Sequence, residues 1–417
     1  MGNVIVGQSG GPTAVINSSL AGVYKTAKDR GASKVYGMLN GIKGLIEGRY
    51  VDLSCHIKSN LEIELLRRTP SAFLGSCRYK LPSHHDNEEV FVRIFDKLRA
   101  LEIENFLYIG GNDSMDSVMK LAKYAQDTGS SIRFVGIPKT IDNDLAVTDH
   151  TPGFGSAAKY IGSVLKEIIR DGFAYGSGQI NIVEIMGRNA GWLTAAASLA
   201  RCEDCEGPDM IFLPEVPFCL ENLYENINSL YERNRKAVVI AVSEGIKFAD
   251  GSYVCEYDSQ SNKETDAFGH KMLGGAAYVL AGLVSDKFKQ KVRPTELSIL
   301  QRAAAHMQSR TDNVEAFLAG GQAVKAAFSG MTGMTVVFER ISDDPYMIDT
   351  ALVEVEKIAN VEKKVPDLWI TENGSYVAKG LTDYIKPLIQ GELSQIMIDG
   401  LPRHLVLNAQ EDRSFGG

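Results

Sequence analysis

Through the first 150 residues, short apolar runs ending in glycine or proline alternate with stretches whose apolar positions recur at helical spacing. Val4-Ile5-Val6 runs into Gly10-Gly11, and a helical pattern follows over 16–27. Phe106-Leu107-Tyr108-Ile109 runs into Gly110-Gly111 before a helix predicted over 113–125, and Phe134-Val135-Gly136-Ile137 runs into Pro138. Apolar runs without alternation suit strands buried on both faces. Strand, glycine turn and helix in succession form the unit of a parallel sheet covered on both sides. In such sheets ligands bind at the carboxyl ends of the strands, where these loops sit.

The pattern restarts near residue 155. Helices are expected over 157–169, 190–200, 220–233, 271–283 and 313–328, and strands over 180–185, 210–213, 237–242, 295–300 and 335–338. This predicts a second α/β unit over 155–309. The chain then crosses back, so that 310–417 completes the unit begun by 1–154. No tandem repeat or low-complexity linker separates the units, which should therefore lie in close contact. Residues after about 345 carry mixed signals and no motif, and a domain edge or subunit contact is expected of them.

Composition narrows the class. With 417 residues, 44% hydrophobic and 23% charged, the chain is long enough for two or three domains and reads as globular. A net charge of −8 argues against attraction to nucleic acid. The N-terminal stretch before Lys25 is uncharged, but Gln8, Ser9, Gly10, Gly11, Pro12 and Asn17 interrupt it, so it reads as fold and not as a targeting or membrane segment. Six cysteines without a secretory pattern read as reduced thiols in a cytoplasm. Cys202 and Cys205 make a CxxC with no second ligand pair to complete a zinc site. The 40 glycines exceed the average share of about 7%, and the excess gathers in the loops after the apolar runs.

Three of those loops could handle phosphate. Residues 7–13 join a strand to a helix through consecutive glycines, and a tight structural turn and an anion cradle fit equally well. They match neither the P-loop nor the dinucleotide-binding pattern. In Gly110-Gly111-Asn112-Asp113-Ser114, taken alone, Asp113 and Ser114 read as helix caps. Pro138-Lys139-Thr140-Ile141-Asp142-Asn143-Asp144 crowds a cation, a hydroxyl and carboxylates at a strand end, where phosphoryl transfer needs charge neutralisation, a base and oxygen ligands for Mg²⁺. Met186-Gly187-Arg188, Ser243-Glu244-Gly245 and Gln301-Arg302 each end a predicted strand. Arg188 and Arg302 could hold phosphate, and Glu244 could accept sugar hydroxyls.

Together and in this order, Gly10-Gly11, GGNDS, PKTIDND, MGR, SEG and QR resemble the 6-phosphofructokinase family over roughly residues 1–330. The resemblance implies two Rossmann-like three-layer α/β domains with mostly parallel sheets and an active site in the cleft between them. Residues 1–154 would bind the phosphoryl donor and 155–309 fructose 6-phosphate. It further implies a Mg²⁺-dependent glycolytic transferase in the cytoplasm, a homodimer or homotetramer with no nucleic-acid or membrane partner. Asp142 resembles the base that takes the proton from the sugar 1-hydroxyl. Thr140, Ile141, Asp142, Met186, Gly187, Arg188, Glu244 and Arg302 resemble the sugar-phosphate site, with Arg310 as a further phosphate ligand. Arg78 resembles an arginine on the transferring group, and Gly11 the donor cradle.

Asp113 and Lys139 stand where ATP-using members have glycine, and the pair is similar to that of the pyrophosphate-dependent branch. A carboxylate about 4 Å from a nucleotide α-phosphate would repel it by about 4 kcal/mol at an effective dielectric of 20. Lys139 would stabilise the leaving phosphate. Asn112 stands where many relatives have an aspartate, so Mg²⁺ is expected on Asn112, on water, or on Asp142, Asp144 and pyrophosphate. Gln179 replaces an arginine that in many relatives reaches a neighbouring subunit. His306 is read as structural. The rival readings are an ATP-dependent member, a silent sugar-phosphate sensor, and a kinase of another alcohol.

Overall fold

The computed structural model describes residues 2–174, 178–257 and 274–407. Its strands are β1 (Asn3–Gln8), β2 (Val35–Met38), β3 (Tyr50–Asp52), β4 (Ile103–Gly110), β5 (Arg133–Pro138), β6 (Gln179–Ile185), β7 (Met210–Phe212), β8 (Ala237–Ser243), β9 (Val292–Glu296), β10 (Met334–Asp343) and β11 (Tyr346–Glu354), with a short ladder of Met397–Ile398 on Leu401–Pro402. Seven form one sheet in the order β11-β10-β5-β4-β1-β2-β3, and four form a second in the order β7-β8-β6-β9. The second sheet is wholly parallel. The first is parallel apart from its edge strands β3 and β11. The α/β class and the mostly parallel sheets expected from the chain are those observed.

The continuous apolar runs have the predicted cause. Val4 and Val6 of β1 face one buried layer with Leu107, Ile109, Val135 and Ile137, while Ile5 faces the other with Phe106, Tyr108 and Phe134. Helices Ile16–Asp29 and Arg310–Phe328 cover the first face, and Glu88–Ala100 and Asn112–Asp127 the second. Each fully buried Ile, Leu or Phe contributes about 1.5–3 kcal/mol, so both faces hold the strands in register and their carboxyl ends in place.

Three features differ from the expected elements. The strand predicted over 295–300 lies earlier, as β9; Pro294 is tolerated because β9 is an edge strand, and Leu300–Ala303 is a one-turn helix instead. The helix predicted over 190–200 is a short α-turn, Trp192–Ala195, followed by a 3₁₀ segment, Ala196–Ala200. Of the helix predicted over 271–283, residues 271–273 lie outside the described residues, and Ala276–Phe288 is helical. Beyond 345, β11 pairs with β10, and the chain then leaves the large sheet. Val355 and Ile358 are buried in its core, whereas Val365, Val377, Leu381, Ile385 and Leu388 are buried with Val183, Ile185 and Ala241 of the smaller one.

Candidate active site

The carboxyl ends of β1, β4 and β5 face those of β6 and β8 across a cleft of about 450 Å³. The first loop lines one wall with Ser9, Gly10, Gly11 and Pro12. It is held from below: the Gly10 N–H donates to the Cys77 carbonyl at 3.2 Å, and Ser76 Oγ donates to the Gly10 carbonyl at 2.6 Å. The same contacts deliver the neighbouring Arg78, which is exposed and lines the cleft.

In the second loop the helix Asn112–Asp127 begins one residue earlier than predicted. Its N-cap is Gly111, which makes no side-chain cap bond, so Asp113 and Ser114 lie inside the first turn. The capping reading of these two residues is therefore corrected, and Asp113 lines the cleft. Asn112 behaves differently from the metal ligand expected of it. Its Oδ1 accepts the Asn360 N–H at 2.6 Å and its Nδ2 donates to the Val361 carbonyl at 3.1 Å. The carbonyl that would have faced a cation instead secures a distant turn.

The third loop carries the densest charge. Lys139 is buried, and its Nζ donates to the Gly11 carbonyl at 2.6 Å, tying the loops after β5 and β1 together. Burial lowers its pKa to about 8, against the opposing pull of Asp142 and Asp144. Burial, and next the Glu244 carboxylate, raise Asp142 to about 6 despite Lys139 and Arg188. Burial, and next Asp142, raise Asp144 to about 7. Carboxylates that hold each other's protons near neutrality suit a base, and their shared need for a counter-charge suits a cation.

The second sheet supplies the opposite wall, with Met186, Gly187, Arg188, Glu244 and Arg302. Gly187 has φ +132°, and a Cβ there would lie 2.6 Å from the Ala190 carbonyl oxygen, so the turn after β6 requires glycine. Ser243 Oγ donates to the Gly187 carbonyl at 2.5 Å, and the Gly187 N–H donates to Glu244 Oε1 at 3.2 Å, which joins the two loops. Burial, and next Glu184, raise Glu244 to about 6. Arg188 Nε is buried without a hydrogen-bond partner among the described residues. A buried guanidinium donor lacking a partner is a site built for an anion.

Thr140 and Ile141 also line the cleft. Arg310 does not: it is exposed at the start of its helix, where its backbone N–H donates to the Gly391 carbonyl. His306 is exposed, Gln179 is buried and donates to Asn181, and Cys202 and Cys205 pair through their backbones while the Cys202 thiol donates to Asp204 and the Ala200 carbonyl. Among the cleft residues that the sequence did not single out are Asn360 and Glu362. They follow β11 in a charged segment whose pattern resembles an ordinary solvated loop.

An α/β fold whose strand ends bring a lysine, three arginines, paired carboxylates and a helix N-terminus around one cleft is that of a phosphoryl-transfer enzyme. The sequence pattern of the family described as "Phosphofructokinase" matches residues 3–327. The chain belongs to the phosphofructokinase family. It is 41% identical to a pyrophosphate–fructose 6-phosphate 1-phosphotransferase of Xanthomonas campestris pv. campestris, over 97% of this chain and 96% of the relative. It is 38% identical to the protein of the same name from Methylococcus capsulatus, again over 97% and 96%. Its fold superimposes on the crystal structure of a pyrophosphate-dependent phosphofructokinase from Marinobacter aquaeolei with a TM-score of 0.86, at 35% identity and covering 97% of this chain and 96% of that one.

Proposed function

We propose that this chain transfers a phosphoryl group from pyrophosphate to the 1-hydroxyl of fructose 6-phosphate, giving fructose 1,6-bisphosphate and phosphate. The observation that carries this reading is that the pair Asp113 and Lys139 lines one cleft together with Asp142, Arg188 and Glu244. The donor and product bonds are close in energy, so the reaction runs in both directions.

Asp142 accepts the proton of the attacking hydroxyl. Its raised pKa of about 6 leaves it ionised at neutral pH yet basic enough to act. Arg188 and Arg302 bind sugar phosphate, and Glu244 accepts hydroxyl protons. Lys139 and Arg78 stabilise charge on the leaving and transferring phosphates, with Gly11 forming the cradle. Asp113 repels the α-phosphate of a nucleotide, which leaves pyrophosphate as donor.

The donor set also fits Mg²⁺. Among the described residues no group of three or more acidic, His or Cys side chains gathers to hold a metal, but Mg²⁺ commonly binds one or two carboxylates plus substrate phosphates. Asp144 and Asp142 are those carboxylates. When bound, the ion would neutralise pyrophosphate oxygens and orient them. Six free cysteines support a cytoplasmic setting, and the exposed apolar residues Met397, Ile398 and Leu401 support a homodimer or homotetramer.

The test is the initial rate of fructose 1,6-bisphosphate formation from fructose 6-phosphate and Mg²⁺ with either pyrophosphate or ATP. Turnover with pyrophosphate alone is expected. Turnover with ATP alone would keep the family and refute the donor assignment.

A further inference from the structure

The turn at 360–362 is held against the donor end of the cleft by more contacts than a surface loop needs. Asn112, at the start of the helix that carries Asp113, accepts the Asn360 N–H at 2.6 Å and donates to the Val361 carbonyl at 3.1 Å. Asn360 Nδ2 reaches Asp116 Oδ1 at 3.3 Å. On the far side of the turn the Lys363 N–H donates to the Asp144 carbonyl at 2.7 Å, and its Nζ donates to the Asp149 and Thr148 carbonyls at 2.8 and 3.1 Å. Asn360 adopts φ +62°, a left-handed conformation that asparagine tolerates better than most residues. The turn is therefore anchored from both sides, and it presents Asn360 and Glu362 to the cleft.

The position of the turn matters because the helix N-terminus beneath it is where donor phosphates gather. Gly11, Arg78, Lys139 and Asp113 line the same cleft as Asn360 and Glu362, and the anchored turn is fastened to the first turn of the helix that carries Asp113. A phosphate chain extended along that helix start would meet the turn and the Glu362 carboxylate. We propose that the turn at 360–362, pinned by Asn112, closes the donor end of the cleft to phosphate chains longer than two, which makes Asn112 a positioning residue and Glu362 a specificity residue for donor length. This rests on pyrophosphate being the donor. It also accounts for asparagine at 112: an aspartate could accept the Asn360 N–H but could not donate to Val361, and its charge would repel that carbonyl.

The test uses the full chain, inorganic tripolyphosphate as probe, and the ratio of its inhibition constant to the KM for pyrophosphate. Tripolyphosphate binding by calorimetry is a second readout, and thermal melting is a check of folding. Asn112→Asp should release the turn and lower the ratio at least tenfold. Glu362→Gln keeps the turn, removes one rim charge, and should lower the ratio about fivefold, as expected for a single partly solvated charge pair. Should Asn112→Asp not fold, Glu362→Gln alone decides. A ratio and calorimetric affinity within twofold of wild type in the folded variants would overturn the inference while leaving the donor reading intact. A wild-type enzyme inactive with pyrophosphate would overturn both.

Discussion

Replacing Lys139 with methionine separates the catalytic role proposed for it from its structural cost. Lys139 Nζ is buried and hydrogen-bonded to the Gly11 carbonyl, and its pKa is lowered from 10.5 to about 8. That drop corresponds to about 3 kcal/mol of disfavour for the charged form in the folded protein. The sign follows from linkage. A lysine with a depressed folded pKa destabilises the fold fully below about pH 8, and the cost is relieved as pH rises toward the unfolded value of 10.5. Lys139→Met should therefore raise the thermal midpoint at pH 7. Activity should move the other way. Losing a preorganised positive charge beside a leaving phosphate costs about 10²–10³ in kcat.

The pH profile of kcat/KM, corrected for substrate ionisation, ties the two effects to one group. In the wild-type enzyme it should fall below about pH 6, where Asp142 gains a proton, and above about pH 8, where Lys139 loses one. In Lys139→Met the alkaline limb should vanish and the acid limb should move to higher pH, because the lysine charge no longer lowers the pKa of Asp142. An alkaline limb that persists unchanged in the variant, or a variant both less stable and fully active, would refute the reasoning.

Two further outcomes follow from other groups. Asp142→Ala should lower kcat by about 10²–10⁴ while fructose 6-phosphate binding, read by calorimetry, stays near normal, because the base acts in the transition state and Arg188 and Glu244 do the holding. His150 lies buried between Asp149 and Glu315, at 2.8 and 2.7 Å; burial alone would lower its pKa, but the two carboxylates raise it to about 9. Its stabilising contribution is complete below about pH 6.5 and lost as pH rises through about 9, so the difference in denaturant midpoint between the wild type and His150→Gln should shrink across that window.

What could be read in the chain follows from how local each feature is. Lys139, Asp142, Gly187 and Glu244 sit within a few residues of apolar strands buried on both faces, so the strand pattern alone carries them to the cleft. Asn112 was legible as a cleft residue but not in its role, because its partners lie 248 and 249 residues away in a segment without periodicity. β9 reads Val-Arg-Pro-Thr-Glu, and the more apolar residues after it look more like a strand than it does, since an edge strand with one neighbour need not be apolar. The outer part of β10 and the first half of β11 alternate between half-buried and exposed positions and carry charges, which blurs them into loop. Arg310 lies close in sequence to Arg302, but Ser309 caps a new helix between them and the side chain turns outward.

The C-terminal segment changes how the cleft itself should be understood. Two α/β units joined only by a few crossings would be free to move apart, and the charges facing one another across the cleft would favour that by gaining water. Here the chain after β11 buries Val355 and Ile358 in the core of the large sheet, and within ten residues buries Val365 in that of the small one. Between these two anchors it passes the cleft at 360–362, with Lys363 fastened to the carbonyls of Thr148 and Asp149 and the Trp192 indole N–H donating to the Lys363 carbonyl at 2.9 Å. Asn143, next to Asp142, is drawn into the same set of contacts through Tyr384, at 3.0 Å. The segment that limits the donor thus also clamps the two sheets together. Lys139, Asp142 and Asp144 are held partly desolvated before substrate arrives, which is the condition under which their charges act most strongly on a transferring phosphate.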